Sequence, residues 1–371
     1  MKILIAGDFC PRARVKQKLE SGDFESVLGE AKQKISRVDY SVVNFECPVI
    51  RGVESPITKK GPNLSCPSYG MEAVKWAGFN CVTLANNHFR DYGDDGVKNT
   101  LGVCKEFGME SVGGGLNINE AAKILYKEID GNTLAIINCC EHEFSIATKK
   151  HGGANPLNPI QQYYAIREAK KNADYVVVII HGGHEHHQLP SPRMVETYRF
   201  FVDAGADAVV NHHQHCFSGY ETYHGKPIFY GLGNFCFDGC KSRKELWCRG
   251  YMVMLTLSDK IDYQLIPYKQ SDEKPTVEIL NESVYDDTIS ELNNIISNPE
   301  RLYEATERYY AACANGYSKI LEPCNNRCYL GAKARGWLPS FISRKRKLEA
   351  ANFILCEAHR DKLSYWLNSE L

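Results

Sequence analysis

Two apolar runs in this chain end in histidines. Residues Asp207 to His215 read Asp-Ala-Val-Val-Asn-His-His-Gln-His, and Asp174 to Glu185 read Asp-Tyr-Val-Val-Val-Ile-Ile-His-Gly-Gly-His-Glu. Short runs rich in Val and Ile predict buried strands. Side chains on a strand alternate between its faces, so a strand reaching residue 215 turns His213 and His215 one way and His212 the other. Two neutral imidazoles on one face at a strand end suit a divalent ion. One such segment is equally well a polar loop rich in histidine. Two of the same design shift the balance towards a site.

Three further predicted strands also end in residues that can ligate a metal. Residues 2–7 run into Asp8, the stretch 38–46 ends in Asn44 and Glu46, and 79–85 runs into Asn86-Asn87-His88, followed by Asp91 and Gly93. Helical periodicity covers 14–36, 68–77, 94–107, 159–172 and 191–204, the last opening on Ser191-Pro192, a cap followed by a first-turn proline. Strands that alternate with helices predict an α/β sheet, and ligands gather at the carboxyl ends of its strands. A lone Asp or Asn at a strand end is ordinarily a cap or turn residue. Five strand ends that each deliver an oxygen or nitrogen ligand are better read as one metal site. Carboxylate, amide and imidazole together suit manganese, zinc or iron(II) better than calcium. Two such ions sharing a carboxylate can clamp a displacement at phosphorus or polarise a carbonyl.

Between these motifs, 51–67 is a Pro/Gly-rich excursion carrying Lys59 and Lys60, and 122–130 with 133–140 reads as a hairpin about Gly131-Asn132. The polar stretch 141–158 is a candidate lid. After residue 215 the pattern becomes antiparallel, with strands at 217–223, 226–231, 249–258 and 261–268. From about 280 it is helical and charged.

Composition excludes more than it identifies. Lys plus Arg number 44 against 45 for Asp plus Glu, so the surface as a whole gives no reason to expect nucleic acid as a partner. The fifteen cysteines include no Cys-x-x-Cys pair, which argues against a zinc ribbon or a thioredoxin-type site. An odd cysteine count, no signal-type h-region and no apolar stretch of about 20 residues predict a cytoplasmic protein with reduced thiols.

Asp8, Asn44-Phe45-Glu46, Leu84-Ala85-Asn86-Asn87-His88 with Asp91-Tyr92-Gly93, His181 with Glu185, Asn211 to His215, and Phe229 to Phe235 follow one another in an order that resembles the CapA family of capsule or poly-gamma-glutamate biosynthesis proteins. That family is built on the calcineurin-like metallophosphoesterase fold. The resemblance implies a four-layer α/β/β/α sandwich over residues 1–270, with a helical C-terminal extension over 280–371. It implies two divalent ions (Mn, Zn or Fe) held by Asp8, Glu46, Asn87, His181, His213 and His215, with Glu46 as the bridge. His88 becomes the general acid, oriented by Asp91. The remaining polar residues of these motifs, Asn44, Asn86, His184, Glu185, His212 and Asn234, are assigned to substrate binding, and Lys59 and Lys60 to contact with an anionic substrate. Two functions follow. One is a metal-dependent hydrolase, whose activated water attacks a phosphoester or glutamyl-type bond of an anionic small molecule or polymer. The other is a non-catalytic accessory subunit of a polymer assembly complex.

The chain also departs from the pattern. The superfamily's first motif is Asp-x-His, and position 10 here is Cys, which leaves open whether Cys10 ligates. Asn211, Gln214 and Gly182 replace the family's usual residues at their positions. Beyond the resemblance, Phe341 to Leu371 reads as an amphipathic helix opening on Arg344-Lys345-Arg346-Lys347. It either covers the domain, makes a homodimer contact or attaches peripherally to an anionic membrane.

Overall fold

The structure is a computed structural model that describes residues 1–59, 61–239, 245–321, 326–345, 347 and 350. Lys60 and most of the predicted helix at 341–371 lie outside the described residues. The chain divides into two compact units, Met1–Leu302 and Tyr303–Leu371. The second holds most of the helix Pro299–Leu321 and the helix Arg327–Ala334. Among the described residues no helix is long and apolar enough to cross a membrane.

Two sheets form the heart of the first unit. In one, Lys2–Phe9 is central, with Tyr40–Phe45, Cys81–Thr83 and Glu110–Val112 parallel on one side. On its other side Arg249–Thr256, Asp262–Gln270 and Val277–Ile279 run antiparallel in sequence. The second sheet places Ala208–His212, Tyr175–His181 and Asn132–Cys140 side by side and parallel. Lys226–Phe229 adds a further parallel strand, and Tyr220–Tyr223 and Leu125–Ile129 close the two edges antiparallel. Helices Ala13–Glu20, Phe24–Ile35, Tyr69–Ala77 and Gly93–Glu106 cover the first sheet, and Pro159–Asn172 and Pro192–Ala204 cover the second. The layers are therefore helix, sheet, sheet, helix, the α/β/β/α sandwich that the resemblance implies.

The central strands have the near-continuous apolar character of strands buried on both faces. Ile3 to Ala6 and Val176 to Ile180 are fully buried, and each Val, Leu or Ile side chain among them contributes about 1.5–3 kcal/mol. Packing is tight where Asn234–Cys236 pairs alongside the first strand. A Cβ at Gly7 would lie 1.9 Å from the carbonyl oxygen of Gly233, so glycine is required there by space.

The single helix predicted over 14–36 is two helices. Gly22 adopts φ 76° and Asp23 caps the second helix by accepting from the Ser26 amide, so the turn Ser21–Asp23 ends one helix and starts the next. The strand predicted to run through His215 stops at His212. His213 and His215 instead take left-handed backbone conformations, with φ 93° and 55°.

Candidate metal centre

The parallel strands of both sheets end at one rim. Asp8 is the last residue but one of its strand, Asn44 the last but one of the next, and Glu46 the residue just beyond it. His181 and His212 end adjacent strands of the second sheet and face each other in register. His213 and His215 follow in a loop whose strained φ values aim both rings at the same rim. Asn211, which departs from the family pattern, anchors this loop. It accepts from the Tyr198 hydroxyl at 2.8 Å and donates to the carbonyls of Gly182 and Tyr230. Gln214 donates to the carbonyl of His187 and its own carbonyl accepts from the His186 amide, so it ties the two histidine-rich loops together.

Two ligand groups result, Asp8–Glu46–His215 and Glu46–His181–His213, all buried. Glu46 is common to both. Its Oε1 lies 3.6 Å from His181 Nε2 and 3.8 Å from His215 Nε2, and Asp8 Oδ2 lies 3.8 Å from His215 Nδ1. Asn87 joins the second group through Oδ1, 3.0 Å from His181 Nε2, and His213 Nδ1 stands 3.1 Å from that same nitrogen.

These residues fit a divalent cation. Both Glu46 carboxylate oxygens are buried and neither has a hydrogen-bond partner. Burial first, then the negative charge of Asp8, pushes the Glu46 carboxyl well above the usual carboxylate range. A buried carboxylate with no donor is strongly disfavoured unless a cation meets it. Burial also holds the imidazoles neutral, the form that ligates: His213 is lowered to about 3 and His181 falls well below its ordinary value.

Around this centre, Asn44 Nδ2 donates to Asp8 Oδ1 at 2.7 Å, and Asn86 Nδ2 donates to Asn44 Oδ1 and to the carbonyl of Phe45. Asn234 Oδ1 lies 2.8 Å from His215 Nδ1, and His212 turns away to place Nε2 3.0 Å from the carbonyl of Ala6. His88 Nδ1 meets Asp91 Oδ2 at 2.6 Å, and the Leu64 amide donates to the same oxygen. Burial lowers the His88 pKa against the opposing pull of Asp91. The Lys59 ammonium is buried against Asp91 Oδ1 and lies 3.1 Å from His88 Nδ1. His184 is half-buried and Glu185 exposed on the loop after His181, and Glu185 adds its charge to the field at Glu46. Cys10 belongs to neither ligand group; it is one of two thiols hydrogen-bonded to Cys47, the other being Cys66 with Sγ at 3.5 Å.

The sequence profile described as bacterial capsule synthesis protein PGA_cap matches residues 2–239, which contain every one of these ligands. The chain belongs to this family. Among curated relatives, the capsule biosynthesis protein CapA of Bacillus anthracis is 35% identical over 246 residues, covering 64% of this chain and 60% of the relative. The PGA biosynthesis protein CapA of Bacillus subtilis (strain 168) is 34% identical over 235 residues, covering 62% of each. The match therefore spans about three-fifths of the length of these relatives. Among solved structures, a novel phosphatase of Mycoplasma pneumoniae gives a TM-score of 0.45 at 17% identity over 77% of this chain and 98% of that one.

Two residues at the rim of this PGA_cap centre escape the sequence reading. Glu143, on the predicted lid, places Oε2 3.4 Å from Asn87 Nδ2 and Oε1 3.9 Å from His213 Nε2. Trp247 lays its ring 4.8 Å from that of His215, centroid to centroid. Glu143 has a legible signal: it lies three residues beyond a parallel strand, where ligands gather. Trp247 has none, since it comes from a short 3₁₀ turn with no motif around it.

Proposed function

We propose that this chain is a metal-dependent hydrolase of capsule or poly-γ-glutamate biosynthesis, acting on a phosphoester or glutamyl-type bond of an anionic substrate. The observation that carries this reading is the Glu46 carboxylate, buried without a hydrogen-bond donor and shared between two ligand groups. Asp8, Glu46 and His215 would hold one ion, and Glu46, Asn87, His181 and His213 the other. A bound pair of Mn, Zn or Fe ions supplies Lewis-acid polarisation and acidifies the attacking water. As the imidazolium, His88 would give its Nε2 proton to the leaving oxygen and return to the neutral ring. Asp91 takes His88 Nδ1, which leaves the other ring nitrogen for that task. Asn44, Asn86 and Asn234 hold Asp8 and His215 in place through the hydrogen bonds described above, and Glu185 and His184 flank the approach. Lys59 reaches an anionic substrate only by leaving Asp91, so its first effect is on the charge of the His88–Asp91 pair.

The test is turnover of an aryl phosphate and of a γ-glutamyl anilide with added manganese. One of the two is expected to turn over, with a loss of about 10²-fold or more in Asn87→Ala and His213→Ala, because displacing a reacting group by about 1 Å costs that much. If metal-loaded protein turns over neither, the accessory reading replaces this one. One observation favours that second reading: a Mycobacterium tuberculosis (strain H37Rv) relative, 26% identical over 208 residues, is named a probable polyglutamine synthesis accessory protein.

A further inference from the structure

Glu143 stands on the loop between Asn132–Cys140 and Gly153–Ala154. Cys140 is opposite His181 in register, so the loop leaves from the rim where the ligands converge. Ser145 fixes its position, since the hydroxyl donates to the carbonyl of Asn87 at 2.7 Å and accepts from the Arg90 amide at 3.0 Å. The Glu143 carboxylate is thereby brought against the outward atoms of two ligands of the same ion position. Asn87 Nδ2 donates to Oε2 at 3.4 Å, and His213 Nε2 lies 3.9 Å from Oε1. The inward atoms of the same side chains, Asn87 Oδ1 and His213 Nδ1, are the ones 3.0 and 3.1 Å from His181 Nε2.

We propose that Glu143 is a positioning residue for the metal centre, one carboxylate that turns both Asn87 and His213 into their ligating orientation. An asparagine amide can present either end, and only its oxygen ligates. The Glu143 Oε2 accepts from the Asn87 NH₂ on the outer side and so leaves Oδ1 inward. A neutral imidazole carries one proton on either nitrogen. An acceptor beside Nε2 draws the proton there and leaves the Nδ1 lone pair inward. The His213 contact is longer than a direct hydrogen bond. The Glu143 side chain is 41% exposed, so a water between Oε1 and Nε2 would carry the contact. Glu143 is not itself a ligand in this arrangement, because its oxygens lie on the outer side of both residues.

This inference rests on the metal reading above, and the experiment separates the two. Metal-free full-length protein is titrated with manganese by calorimetry, and histidine tautomers are read by ¹⁵N NMR in the zinc-loaded protein. Wild type is expected to bind two ions, with His213 protonated at Nε2. Glu143→Ala is expected to weaken one ion by about 10–100-fold, leave the other unchanged and mix the His213 tautomers. Glu143→Gln keeps one acceptor and is expected to fall between the two; it decides the matter if Glu143→Ala folds poorly. Unchanged affinity for both ions and an unchanged His213 tautomer in either folded variant would overturn the role of Glu143 while leaving the metal site intact. A wild type that binds no divalent ion overturns the metal reading and this inference with it.

Discussion

Asp91 does more than orient a histidine. Its two oxygens meet the Lys59 ammonium, the His88 ring and the Leu64 amide, and the Lys59 and Asp91 side chains are 3% and 0% exposed. The loop after Tyr40–Phe45 is thus pinned to the site by a buried ion pair. Removing one member of such a pair strands the other, at a cost of about 3–5 kcal/mol. Lys59→Met and Asp91→Asn are each expected to destabilise the metal-free protein by about that much. The double variant should cost clearly less than the sum, by at least about 1 kcal/mol, because neither charge remains. Urea unfolding of the four proteins measures the coupling, and strict additivity would mean that Lys59 is held by something other than Asp91. This pairing was not legible in the sequence. Lys59 lies 32 residues from Asp91, in a Pro/Gly-rich loop with no periodicity, and the sequence points it at a substrate only because it is a cation near a motif.

At the scale of elements, local chemistry was readable where a residue type forces a conformation. Ser191-Pro192 marks a helix start, and the Ser191 side chain accepts from the Met194 amide at 3.3 Å. That helix carries Tyr198, whose hydroxyl fixes Asn211 and with it the loop bearing His213 and His215. Ser191→Ala is expected to cost about 1 kcal/mol, with Ser191→Thr restoring most of it. Equal stability of Ser191→Ala and wild type in urea would show that the cap does not contribute. Periodicity failed where strands are short or end early. Glu110–Val112 and Val277–Ile279 have three residues each, too few for alternation to register. The period-two argument that put His213 and His215 on one face rested on a strand that ends at His212. Both rings still reach the rim, but through left-handed backbone, beside Asn211 at the strand end and Gln214 in the loop, which tie this segment to its neighbours. No pattern in Asn-His-His-Gln-His announces that conformation.

The whole molecule makes the site from two sheets. Asp8, Glu46 and Asn87 come from the first, His181, His213 and His215 from the second, and the profile match at residues 2–239 stops short of Arg249–Thr256, the strand that pairs with Lys2–Phe9 on its antiparallel side. The family's motifs brought the candidate ligands to notice, whereas the completion of the first sheet by later strands depends on tertiary pairing that no motif carries. Because the ligands of each group straddle the sheets, ions bound there link the sheets to one another, and their binding free energy adds to folding stability. A ligand specific to the folded state stabilises by RT ln(1 + [L]/Kd), so above saturation each ion contributes about 1.4 kcal/mol per tenfold rise in its concentration. The unfolding free energy of wild type should therefore climb by about 2.8 kcal/mol per decade of free manganese if two ions bind. His215→Ala, which removes a ligand from one group only, should halve the slope, and so should His213→Ala for the other. The slope counts ions without any assay of turnover. A flat response to manganese, zinc and iron(II) would mean that the rim holds no metal, whereas a slope of about 1.4 in wild type, unaffected by His215→Ala, would place a single ion at Glu46, Asn87, His181 and His213.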